Sequence, residues 1–128
     1  MTEQEIHNIC KVYNINNYKI NSDGSIDVDG NVDLTVFNLT ELPLTFNYVS
    51  GYFLCSNNYL TSLKGSPRII GHNFSCTSNN ITSLIEGPDR VGGFYYCNNN
   101  NLESLIGSPK TNERFECFGN PIKSLDGY

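Results

Sequence analysis

The sequence predicts a mainly β fold: a short solenoid of about five stacked coils with a parallel sheet, preceded by an N-terminal capping helix and a β-hairpin. Two observations carry that prediction. Cys55, Cys76, Cys97 and Cys117 recur at intervals of 21, 21 and 20 residues, and periods in this range mark repeat architectures. Other residue types keep the same phase. An aromatic stands two positions before each cysteine (Phe53, Phe74, Tyr95, Phe115) and an asparagine three positions after it (Asn58, Asn79, Asn100, Asn120). An aliphatic residue follows (Leu60, Ile81, Leu102, Ile122), then a leucine (Leu63, Leu84, Leu105, Leu125). A divergent copy lies one period upstream, with Val32, Leu34, Leu39 and Leu42 in the apolar slots and Phe37 in place of the asparagine.

The 128 residues are expected to form one domain. Residues 1–17 hold the capping helix. Thr2 followed by Glu5 is a capping-box signature, and Ile6, Ile9, Cys10 and Tyr13 then make one apolar stripe that ends near Asn14. Residues 18–29 read as a hairpin: Tyr18–Ile20 and Ser25–Val28 alternate apolar with polar, and Asp23-Gly24 supplies a tight turn. Residues 30–128 are the repeat region. Each unit opens with a short strand bearing the aromatic and the cysteine, and the asparagine closes that strand. The return half passes through Gly and Pro (Gly65 and Pro67, Gly87 and Pro88, Gly107 and Pro109) and ends on an apolar residue (Val49, Ile70, Val91). Pro and Gly exclude a regular helix there, so an extended or polyproline-like return is expected.

The alternation of a strand sends the aromatic and the cysteine to one side, inward, where each cysteine packs as a small hydrophobe. The asparagine amide is placed to bond backbone groups that the turn leaves unpaired, forming a ladder. Neither zinc nor a disulfide is expected: no Cys-x-x-Cys occurs, His7 and His72 are distant in sequence, and in-register parallel strands point their Cβ atoms alike. The alternation Asp27, Asp29, Asn31, Asp33 is a faint match to a calcium loop. Val32 stands where that loop needs Gly, however, and Asn38 where it needs Glu. No metal or other cofactor is expected.

The formal net charge of −5 excludes an ordinary nucleic-acid-binding surface. Acidic residues from Asp23 to Glu41 lie between Lys19 and Lys64 with no positive residue among them. They make either a solvated rim of turns, the favoured reading, or a surface for a basic partner. The polar start MTEQEIHN shows no export signal and no apolar run is long enough for a membrane span. A soluble protein of the cytoplasm is therefore expected. No Gly-rich phosphate loop, G-x-S-x-G, H-E-x-x-H or Cys/His pairing appears, so no enzyme activity is expected.

The strand pattern is similar to L-x-x-L-x-L-x-x-N-x-L of leucine-rich repeats. Phe74-Ser75-Cys76-Thr77-Ser78-Asn79-Asn80-Ile81 fills it from the second Leu slot onward, and Leu39-Thr40-Glu41-Leu42-Pro43 matches the L-x-x-L-P of the short bacterial type. The run from Asp23 to Leu34, LTELP, and the Phe-x-Cys-x-x-Asn-Asn coils closing on Ser-Leu-x-Gly-x-Pro together resemble a family of small proteins of tailed phages and some bacteria. The resemblance implies a binding scaffold. It also implies a bacterial host or defence protein as the partner, bound and blocked in the host cytoplasm.

Residues beside the cysteines should face outward on the sheet. Tyr52, Leu54, Phe94, Tyr96, Arg114, Glu116 and Phe118 are the candidate partner-binding set, because nothing in a solenoid requires large groups there. Cross-strand stiffening of the sheet is the structural alternative. Phe118, Leu125 and Tyr128 are the candidates for self-association, as a homodimer through an uncapped C-terminal end. A structural or assembly role in a virion by such self-association is one alternative function. Capture of a small ligand or nucleotide by the outward Tyr and Arg residues is another.

Overall fold

The computed structural model describes all residues, Met1–Tyr128. Helix α1 (Glu3–Val12) starts as expected: the Thr2 side chain accepts from Glu5 N at 3.1 Å and Glu5 Oε1 accepts from Thr2 N at 3.0 Å. These contacts satisfy two of the helix's orphan donors, and Ile6 and Cys10 are the buried face. Strands β1 (Tyr18–Ile20) and β2 (Ile26–Val28) pair antiparallel. Asp23-Gly24 lies in their connection, as expected, within a three-residue loop. Asn21 N bonds Ser25 O, Gly24 takes φ +87°, and the Asp23 carboxylate accepts from Ser25 N and Oγ.

The remaining chain winds as a β-solenoid with two parallel faces. One sheet stacks β3 (Val32–Asp33), β5 (Phe53–Leu54), β7 (Phe74–Ser75), β9 (Phe94–Tyr96) and β10 (Arg114–Glu116). These are the cysteine-bearing segments, and their register places Val32, Phe53 and Phe74 in line, as the period requires. The second sheet continues from β2 into β4 (Phe46–Val49), β6 (Ile69–Ile70) and β8 (Arg90–Val91). The return half is thus a second parallel sheet and not only an irregular extended path. Val49, Ile70 and Val91 are its inward positions, in register and buried.

Between the sheets lies a single core. Phe53, Cys55, Leu60 and Leu63 of one coil sit over Phe74, Cys76, Ile81 and Leu84 of the next, all fully buried. The aromatic column continues through Tyr95 to Phe115, with ring centroids 6.2, 4.9 and 5.0 Å apart. Where the chain crosses from the second sheet to the first, coils approach too closely for a side chain. A Cβ at Gly71 would lie 2.0 Å from Ser50 O, and one at Gly92 2.0 Å from Gly71 O.

The asparagine ladder exists and does more than close its own turn. Asn79 Nδ2 donates to Cys76 O of its own coil and to Cys55 O of the coil before, each at 3.0 Å, while its Oδ1 accepts from Leu60 N at 3.0 Å. Asn58, Asn100 and Asn120 make the equivalent contacts. Coil one departs from this rule. Phe37 replaces the asparagine and turns outward, packing edge-on against Tyr13 at 5.1 Å, and Val36 before it is held at φ +59°. No helix is long and apolar enough to cross a membrane.

Candidate functional site

Alternation along β5, β7, β9 and β10 turns the residues flanking each inward aromatic and cysteine to the outer face of the first sheet. Tyr52, Leu54, Phe94, Tyr96 and Glu116 are half-buried there, and Arg114 and Phe118 are exposed. The parallel register aligns Leu54, Ser75, Tyr96 and Glu116 in one row and Phe94 beside Arg114 in another.

The structure divides the seven residues into two groups. Phe94, Tyr96, Arg114, Glu116 and Phe118 gather at one end. The Phe94 and Tyr96 rings meet edge to face at 5.9 Å and 89°. Arg114 Nε lies 2.9 Å from Glu116 Oε2, and Glu116 Oε1 also accepts from Asn98 Nδ2 at 3.4 Å. Tyr52 and Leu54 stand apart, beyond the strip made by Asn73, Ser75 and Thr77. That strip bonds to its neighbours: Asn73 Oδ1 accepts from Phe94 N at 2.9 Å, Ser75 Oγ bonds Ser56 Oγ at 2.6 Å, and Ser75 Oγ donates to Thr77 at 3.1 Å. The pair joins an exposed Arg114 to a half-buried Glu116, adds no net charge and contributes little to stability.

The self-association candidates are all exposed, Phe118 at 64%, Leu125 at 73% and Tyr128 at 86%. Tyr128 also reaches back to the end of the aromatic column, its ring 6.3 Å from Phe115.

The five cysteines are free thiols. Burial pushes Cys55 up to about 12 and raises Cys76 and Cys97 well above the ordinary thiol range. Each Sγ donates to the carbonyl of the next coil, Cys55 to Ser75 and Cys97 to Glu116. Thiols so desolvated are packing groups and not nucleophiles. No three His, Cys, Asp or Glu side chains converge as metal ligands.

Sequence reasoning missed a second feature. The loop after α1 folds over the outer face of coil one and forms a groove of about 590 Å³ between Tyr13–Asn17 and Gly30–Thr35, with Tyr52 at its far wall. Its one local signal was the asparagine run, since Asn14 and Asn17 take φ +56° and +52° and turn the loop back on the sheet. Searches of protein-family models, curated proteins and solved structures return no match to this chain.

Proposed function

We propose that this chain is a non-enzymatic protein-recognition module that docks a partner on the outer face of the first sheet, at the end formed by Phe94, Tyr96, Arg114, Glu116 and Phe118. One observation carries the reading. The coil of Asn73, Ser75 and Thr77 fills the same three outward slots with small polar side chains and keeps the parallel register with both neighbours. Large rings in the neighbouring coil are therefore not required by the fold. Half-exposed aromatics with an arginine on a rigid support are the composition of binding hot spots. The resemblance to small phage proteins adds the class of partner, a bacterial host or defence protein that the module blocks in the host cytoplasm.

The experiment is a comparison of matched variants. Phe94→Asn with Tyr96→Ser installs the residues that the neighbouring coil carries in those slots, and Ile69→Thr alters the opposite sheet as a control. Tagged protein is incubated with bacterial lysate, and the bound fraction is quantified. A stoichiometric partner retained by wild type and Ile69→Thr but lost by the double variant is the expected result. Retention by the double variant overturns the assignment of this face.

A further inference from the structure

The groove over coil one differs in composition from the outer faces of the later coils. Tyr13 and Phe37 line it with rings on one side and Tyr52 on the other, and its polar lining includes Asn14, Asn17, Asp29 and Asp33. The Phe37 wall exists only because coil one abandons the asparagine that the other coils bury. The same departure leaves Val36, a β-branched residue, at φ +59°, where other coils have Asn57, Ser78, Asn99 and Gly119. A β-branched residue there is strained, by roughly 1–2 kcal/mol on the usual scale.

The polar side chains of the groove face solvent and are only partly bonded within the chain. Asp29 Oδ1 accepts from Ser50 Oγ and Asp33 Oδ1 from Thr35 N, and in each the second oxygen is uncommitted. Asn31 Oδ1 accepts from Tyr52 N, while its Nδ2 has no partner; the Asn14 and Asn17 amides have none at all. Neither aspartate belongs to an ion pair, and no Lys or Arg lines the groove.

The geometry points to this groove as a binding site for a neutral saccharide. The absence of lining cations disfavours phosphates and carboxylates. The unspent amide N–H groups disfavour a simple cation, which offers no acceptor to them. A pyranose suits this lining: its hydroxyls donate to the carboxylates and accept from the amides, and its C–H face can stack on the ring of Tyr52 or Tyr13. The volume is in the usual range for small-ligand clefts. This site is separate from the Phe94 and Tyr96 end and does not rest on the protein-recognition reading.

Titration of the ¹⁵N-labelled full chain with neutral mono- and disaccharides, and with spermidine as the cationic comparator, tests it by amide chemical shift. Saturable shifts confined to Tyr13–Asn17, Gly30–Thr35 and Tyr52, differing between epimers of one sugar, are expected. Tyr52→Asn and Asp33→Ser, which install the residues of the Asn73 coil, should each weaken binding about tenfold with the rest of the spectrum unchanged. Both substitutions have a precedent within the same solenoid, so loss of fold is not expected. Linear, non-selective shifts with every sugar overturn the proposal. So does saturation by spermidine alone, which would make the site cationic, or unchanged affinity in both variants.

Discussion

Truncating Asn79 to alanine should be among the most damaging single changes in this protein, and the structure gives the size. The amide is buried and makes four hydrogen bonds, to Cys55 O, Cys76 O and Thr77 O as donor and from Leu60 N as acceptor. The three carbonyls each keep another donor: Asn58 Nδ2, Asn100 Nδ2 and Asn57 N respectively. Leu60 N has no other acceptor, so one buried N–H is orphaned at about 2 kcal/mol, and three partly redundant bonds lose about 0.5 kcal/mol each. Together these give about 3–4 kcal/mol. The same change at Asn120, whose amide is half-buried and open to water, should cost about half as much. Urea unfolding followed by circular dichroism measures both, as a fall in midpoint at constant slope. A loss below about 1 kcal/mol at Asn79 would refute the view that the ladder ties coils together.

Three other predictions use the repeat as its own control. Tyr95 is the one tyrosine in a column of phenylalanines, and its hydroxyl is buried without a partner; Tyr95→Phe should raise stability by about 1 kcal/mol in the same urea assay, and a loss would mean that the hydroxyl is bonded. Glu86 takes φ +75° where Gly65, Gly107 and Gly127 stand in the other coils. Glu86→Gly and Val36→Asn should therefore each raise the thermal midpoint, by about 0.5–1 kcal/mol in stability, and a lowered midpoint would contradict the strain. The thiols predict a pH effect. Burial raises Cys55, Cys76 and Cys97 in the folded state, whereas unfolded thiols ionise near pH 8.5, so the unfolded chain alone loses protons above that value. Stability should be level below about pH 8.5 and then fall by about 4 kcal/mol per pH unit for the three together, towards pH about 12, with Cys76→Val removing about one third of the slope. Native thiol labelling should meanwhile reach the half-buried Cys117 first.

Much of the fold was legible because its determinants are local or periodic. Thr2 and Glu5 declare the helix start within four residues, and the aromatic, cysteine and asparagine slots announce the stack by their phase. The second sheet was hidden for a physical reason. β6 and β8 are two residues long and flanked by Pro and Gly, so neither shows an alternation from which a strand can be recognised. Their identity comes from the coil above and below. The outward rows were readable by parity, yet their division was not: nothing in Tyr52 or Tyr96 alone reveals the polar strip between them. The groove was least legible, since it needs the loop after α1 to land on a strand some fifteen residues further along the chain.

Each asparagine serves the coil before its own, which has a consequence for how this protein can change in size. A change of length inside the strand or turn that carries an asparagine pulls that amide off the carbonyls it must reach, whereas the crossing between the sheets absorbs one residue, as the shorter last interval shows with Asn120 still in place. A deletion from one cysteine to the next leaves all of these partners matched. Length should therefore vary in this lineage by quanta of one whole winding, with the two ends of the molecule kept and the middle copied or dropped like beads on a string.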